Sequence, residues 1–491
     1  MEKIYNRFLD MLDFSKQEIS QLLSDFENAT KKVGLEREDV KYAMNTWIPQ
    51  NWDITMKGVR LCIGAYIREF IDISKINEYK KDGIKVIYGM SPSQASLFQA
   101  IKISGQDKVF VGYPDFLYSI VVGGFFNRID LLNDNEENLS IRCRHCSLNR
   151  VRMNSAIEGI IPAPDVIWSW GFYCDEAPKT EELISILSDK KWEYIISRMP
   201  HDVYIGDEED KNKDRVEYLA EQFKYAHGEI ENITGIEIKN KDMYNTLIEN
   251  SKYTRKLDKL TRLVSNNDPQ PMGGNELALF GTTNSMTFNT GYTFFIEALD
   301  TIIEEVKKRI SEKIGILPVG SPKLGCHFTP ICVPWVERTF LENGVSISFS
   351  SNLSFSKINF QPFDYIDPYM MAAQIWLRTA SSVNSGYQIK LMSEMISEYD
   401  VDGMLYGFFT FDRWLGSNQN MILKRIEEET DVHHFYIEGD FWDDTNFKKS
   451  DRKGIIQSIS YFLKTKKLMS SKVYAESMKK QEKDKWQEIK H

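Results

Sequence analysis

The residues best suited to chemistry in this 491-residue chain are its six cysteines, and their placement is uneven. Cys62 stands alone in an apolar stretch, Cys143 and Cys146 form a C-x-x-C pair, Cys174 follows, and Cys326 and Cys332 lie far downstream. In a reducing compartment such thiols are buried small hydrophobes or thiolates that ligate metal or react. A zinc site wants a second C-x-x-C or spaced histidines, and nothing near Cys143-x-x-Cys146 supplies them. Iron–sulfur ligands need not be close in sequence, so Cys146 and Cys174 can hold a cluster. Spacing alone leaves ligation and buried structural thiols both open.

Other candidates are fewer. Cys326 is expected just after a strand and turn, ILPVGSP, facing the same cleft, with His327 beside it as a solvated loop histidine. Cys332 reads as core. Glu438 and Asp440 end a strand and could pair as acid and base, although a structural acidic turn is the better reading. His433 and His434 are adjacent on a strand and so point to opposite faces, which excludes a zinc pair. The chain has no Walker loop and no dinucleotide glycine fingerprint.

The elements that must position these groups alternate. IKVIYGM, DKVFVGYP, PDVIWSW and KWEYIIS read as strands separated by helices, which implies parallel βα units in a doubly wound sheet. A cysteine after PDVIWSW then lies at a C-terminal strand end, where ligands gather. A second α/β pattern follows, with strands in GILPVGSP, VSISFS, DVDGMLYGFF and HHFYIEGDF. The organisation expected is a helical N-terminal region (1–80), a first α/β lobe with the cluster cysteines (81–250), a helical connector (251–310), a second α/β lobe (311–463) and a charged helical tail (464–491). NNDPQPMGGNE reads as a surface loop.

A net charge of -10 argues against a nucleic-acid surface. No apolar run reaches the roughly 20 residues that span a bilayer. The first residues form a charged amphipathic pattern rather than a signal peptide, so a cytoplasmic protein is expected.

The run Cys146-Ser147, Gly159, Pro162-x-Pro164-Asp165 and Cys174-Asp175-Glu176-x-Pro178-Lys179 resembles the first-lobe signature of the 2-hydroxyacyl-CoA dehydratase / benzoyl-CoA reductase family. The resemblance continues through ITGIEI, NDPQPMGGNE, ILPVGSP, VDGMLYG and IEGDF, in order over about residues 80–460. It implies two flavodoxin-like lobes with an iron–sulfur cluster, 4Fe-4S by family pattern, held by three cysteines. It also implies a sister subunit, most often in a heterodimer, and a separate ATP-hydrolysing activator that delivers one low-potential electron. The substrate is then an acyl-CoA thioester, reduced to a ketyl radical anion that expels a β-directed leaving group or drives ring reduction. Carried over, Cys146 and Cys174 match the first two cluster cysteines. The third should follow VDGMLYG, but VDGMLYGFFTFDRWLGSN has no cysteine and Asp412 falls near its place. Cys326, Asp412 or, less directly, Cys143 is left to complete the set. The departure keeps two other readings open: a related low-potential reductase, and a subunit without cluster that serves as scaffold or substrate-binding partner.

Overall fold

The structure, a computed structural model, describes residues 2–90, 95–133, 146–171, 176–187, 191–200, 213–327, 332–360, 362–379, 384–408, 413–444 and 448–488. Three of the candidate residues, Cys143, Cys174 and Asp412, lie outside these.

The chain opens with helices α1 (Glu2–Met11), α2 (Lys16–Lys32) and α3 (Lys57–Ile73). Ser15 caps α2 and exchanges a reciprocal bond with Glu18, a capping box that fixes where the helix starts. Almost every residue of α3 is buried, Cys62 fully. Its carboxylate Glu69 is buried as well and accepts hydrogens from the Asn289 and Thr290 backbone and the Thr290 hydroxyl.

The first sheet follows: β1 (Lys85–Gly89), α4 (Ala95–Gly105), β2 (Val109–Gly112), α5 (Ser147–Ile157), β3 (Val166–Gly171), α6 (Glu176–Leu187) and β4 (Glu193–Arg198). All pairings are parallel and the order is β2-β1-β3-β4. Two long helices come next, α7 (Lys213–Thr234) and α8 (Asn240–Ser265), separated at Gly235, whose φ of 72° is the left-handed value a glycine takes without strain. Then α9 (Gly274–Thr282) and α10 (Thr293–Ser311) lead to the second sheet. That sheet runs β5 (Lys323–His327), α11 (Pro334–Glu342), β6 (Ser346–Ser350), α12 (Pro368–Leu377), α13 (Ser385–Glu398), β7 (Gly403–Phe408), α14 (Arg413–Glu429), β8 (His433–Glu438) and α15 (Lys449–Glu488). Its order, β6-β5-β7-β8, repeats the first, again all parallel. The molecule is therefore α/β with two flavodoxin-like, doubly wound lobes and added helices. No described helix is long and apolar enough to cross a membrane.

The sequence expectation fails in two places. ILPVGSP is not a strand; the fifth strand is the next segment, KLGCH. It carries none of the β-branched residues that mark strands. Gly325 explains part of this, because a side chain there would collide with Met404 and Phe349. NNDPQPMGGNE is not a surface loop either. Gln270 and Met272 are buried, and the Gln270 amide donates to the carbonyls of Met272 and Ile347.

Candidate functional site

Cys146 is the N-cap of α5, with extended backbone (φ -64°, ψ 157°) and a half-buried side chain. The first turn of a helix presents unsatisfied N–H groups and the positive end of its dipole, which favour a thiolate over a thiol. The helix start is held from the other lobe. Just beyond β8, Asp440 accepts the Ser147 backbone hydrogen with both oxygens, at 2.9 and 3.1 Å, and also bonds Arg150 at 3.0 Å. Arg150 reaches Asp443 at 2.5 Å, and the Asn133 amide donates to Asp443 and to the Ser147 hydroxyl. Both aspartates are about 1% exposed. Burial pushes the Asp440 carboxyl up to about 7, against the bonds from Ser147 and Arg150.

The pair Glu438 and Asp440 does not act as a facing acid and base. Glu438, the last residue of β8, is exposed, whereas Asp440 is spent on α5. Sequence reading placed Asp440 correctly as a structural turn but missed the Asn133–Arg150–Asp443 network. The acidic run DFWDD was the available signal, and its partner lies about three hundred residues earlier in the chain.

Cys326 sits inside β5, not in a loop after a turn, and is fully buried. It lies opposite Ser350 on one side and Leu405 on the other, and its carbonyl accepts the Ser351 hydrogen at 2.9 Å. Burial pushes its thiol up to about 12. His327 is likewise not a solvated loop histidine: it ends β5, is buried, and its Nδ1 shares a 2.7 Å hydrogen bond with the Ser351 hydroxyl. Burial takes its imidazole down to about 3, so it is neutral. Cys332, expected in the core, is half-buried just before α11 and lines a small cavity of about 40 Å³ with Thr282 and Trp442. Burial raises its thiol, and the charges of Cys326 and Asp440 add to the rise. His433 is exposed while His434 is half-buried against Tyr406, as alternation on a strand requires.

Cys332 thus lies near Cys326 and Asp440, and Asp440 bonds the residue that follows Cys146. Among the described residues no three cysteine, histidine or acidic side chains are close enough to hold a metal ion. Cys146 and the fully buried Cys326 are thiols of the kind that lose their protons on binding a cation.

Nearby is a cavity of about 120 Å³ between α8, α9, α12 and the loop after β6, with Ala95 of the first lobe at its edge. Ser351 belongs to its wall, so the cavity is one residue removed from Cys326 and His327. Nothing in the sequence marked it, because its wall is drawn from segments scattered over nearly three hundred residues.

A family model described as 2-hydroxyglutaryl-CoA dehydratase, D-component, matches residues 120–453, which takes in β3 through β8 and every strand end discussed above save those of β1 and β2. No curated protein matches the chain.

Proposed function

The chain belongs to the 2-hydroxyglutaryl-CoA dehydratase D-component family, and from that premise we propose that it is an iron–sulfur subunit of a 2-hydroxyacyl-CoA dehydratase-type lyase. The observation that carries this reading is the family match across both lobes, with Cys146 inside it at a helix N-terminus that the opposite lobe clamps. Cys146 and Cys174 would hold the cluster, with Cys326 or Asp412 completing the set. Bound there, it would supply a single low-potential electron to the thioester, a step that side-chain acid–base chemistry does not provide.

The chain's own part is to position and to exclude water. Asp440 and Arg150 fix the start of α5 and therefore the Cys146 thiol. Neutral His327 holds Ser351, and with it the wall of the neighbouring cavity. A sister subunit and an ATP-hydrolysing activator complete the proposal, and a cytoplasmic, anaerobic setting follows from such chemistry. A benzoyl-CoA reductase-like role uses the same parts on another substrate. The absence of cysteine from VDGMLYGFFTFDRWLGSN favours a second reading, a subunit without cluster that binds substrate or scaffolds the complex.

Anaerobic purification with iron and acid-labile sulfide analysis decides between them. The lyase reading expects both elements, a broad visible absorbance that air bleaches, and co-purification with a sister subunit when the two are expressed together. Protein free of iron and sulfide under those conditions supports the scaffold instead.

A further inference from the structure

Asn149 lies in the first turn of α5, three residues after Cys146. It is 4% exposed, and its side-chain NH2 is buried with no hydrogen-bond partner among the described residues. Buried donors left in this state are rare, and each is destabilising until an acceptor arrives. An NH2 group offers hydrogens alone, so the missing partner is an acceptor.

The helix fixes where that acceptor must be. Asn149, Arg152 and Ala156 share one face of α5, at spacings of three and seven residues. Arg152 and Ala156 line a small cavity with Gly89 of β1 and Ile167 of β3, and Arg152 is ion-paired with Glu181 of α6. This face therefore looks onto the first sheet. Asn149 is its member nearest the helix start, and helical side chains lean toward that end. In a parallel α/β lobe the helix start lies at the C-terminal ends of the strands, where ligands gather. The protein's own groups there leave the amide unfilled. Cys146, the N-cap, makes no side-chain cap bond, and Asp440 is taken up by the Ser147 and Phe441 backbone and by Arg150.

We infer that the Asn149 amide donates to the group carried by Cys146, as an N–H···S hydrogen bond to a sulfide of the iron–sulfur cluster. A donor aimed at a cluster sulfur stabilises the added negative charge of the reduced state and so raises the reduction potential. Asn149 is then the side chain that sets how readily the cluster takes up an electron. The inference rests on the iron–sulfur reading and adds to it a residue that regulates the cluster.

The test uses the full chain purified anaerobically, with reduction followed by electron paramagnetic resonance at set potentials. Asn149→Leu is close in size and lacks the donor. It should make the reduced state about tenfold less favourable, or about 59 mV for one electron. Asn149→Asp keeps the shape, brings a negative charge, and should lower the potential further. An unchanged potential in both variants overturns the inference and leaves the cluster reading standing. Wild-type protein free of iron and sulfide removes the cluster reading and the inference with it. Electron–nuclear double resonance in H2O and D2O should show one exchangeable proton coupled to the reduced wild-type cluster and missing from Asn149→Leu; the same couplings in both proteins refute the bond. Iron-free protein supplies the control for folding. There Asn149→Leu should melt higher than wild type, because the unpartnered amide is gone. A lower midpoint marks Asn149 as structural and overturns the inference, whether or not the variant still holds iron; a higher midpoint with iron lost supports it.

Discussion

In the first lobe Asp165, just before β3, accepts the Val86 amide hydrogen at 2.8 Å and donates its own to the Val86 carbonyl. In the second, Asp402 makes the same double bond to Lys323, at 2.9 and 2.8 Å, just before β7. These paired locks set the same register of β3 on β1 as of β7 on β5: Val166 pairs with Ile87 as Gly403 pairs with Leu324. At the same distance along the chain from each aspartate stand Cys174 and Phe411, followed by Asp175 and Asp412. Asp412 is thus the second-lobe counterpart of Asp175, not of Cys174. At the position where β1 of the first lobe has Gly89, β5 of the second has Cys326. One scaffold, repeated, leaves the chemistry to a few positions at the strand ends.

The largest expected effect tests whether the two first-lobe cysteines hold the cluster. Cys146→Ala with Cys174→Ala should remove essentially all iron from the anaerobic protein. The lobe comparison then ranks the third position: Cys326→Ser should lower iron content and alter the electron paramagnetic resonance signal of the reduced protein, and Asp412→Ala should do so less. A softer thiolate is the preferred iron ligand. The reverse order would break the correspondence of Asp412 with Asp175. Full iron in both variants would leave Cys143 or Cys332 as the remaining thiols.

The lobes also treat buried acids differently. In the first, Glu181 is ion-paired with Arg152 and accepts from the Trp192 indole. In the second, Glu337 accepts the Gly274 and Asn275 hydrogens at the start of α9, with Glu276 rather than a cation beside it. Burial, and then the neighbouring carboxylate, raise Glu337, and burial raises Glu276. Glu69 under α10 is pushed up by burial to about 8. Between about 4.5 and 8 these groups keep protons that the unfolded chain has lost, so the folded state binds more protons and stability falls as pH rises. Thermal midpoints should therefore be higher at pH 6 than at pH 8, and Glu337→Gln should flatten that slope. Glu181→Gln should instead lower stability by about 3 kcal/mol at both pH values, because it leaves Arg152 buried without its carboxylate. A slope of the opposite sign would refute the contrast.

The aspartate locks are the next smaller effect. Asp165→Ala and Asp402→Ala each remove an acceptor from a strand N–H and should cost about 1–3 kcal/mol in urea unfolding. Asp402 also accepts from Lys467 of α15 at 2.8 Å, so its loss should additionally loosen that helix, seen as faster amide exchange.

How much of this was legible follows from the same comparison. Seven of the eight described strands announce themselves as β-branched or aromatic runs; β5 does not, because Gly325 must make room for Phe349 and Met404. That one miss carried Cys326 and His327 out of the sheet and into an imagined loop. Cys146 was singled out by its family context, but the clamp on its helix was not. Asp440 lies far from Ser147 in sequence, and an acidic turn looks the same whether it faces solvent or caps a distant helix. Glu69 stands near the end of the apolar stretch VRLCIGAYIREFIDI and could have been read as buried, since a charge amid core positions needs local partners. The cavity beside Ser351 had no such signal.

The smallest effect concerns one cross-strand position and should differ in sign between the lobes. Tyr194 of β4 and His434 of β8 occupy equivalent registers, opposite Ile167 and Met404. In the first lobe the Tyr194 hydroxyl bonds the buried Ser169 hydroxyl at 2.7 Å. In the second, Tyr406 stands where Ser169 does, and His434 stacks on its ring at 5.3 Å and 4°. Both ring nitrogens of His434 are buried with no hydrogen-bond partner among the described residues. Tyr194→Phe strands the Ser169 hydroxyl and should cost about 1 kcal/mol. His434→Phe keeps the stack and removes two unsatisfied nitrogens, so it should stabilise the protein by up to about 1 kcal/mol. Burial takes the His434 imidazole down to about 4, below its ordinary 6.5. As pH falls between those values the unfolded chain gains a proton that the folded histidine resists, and the wild type loses stability that the phenylalanine variant keeps. The advantage of His434→Phe should therefore grow from pH 7 to pH 5 in paired thermal melts. A loss of stability on this substitution would mean that His434 is hydrogen-bonded after all, and that the two registers are alike in energy as well as in place.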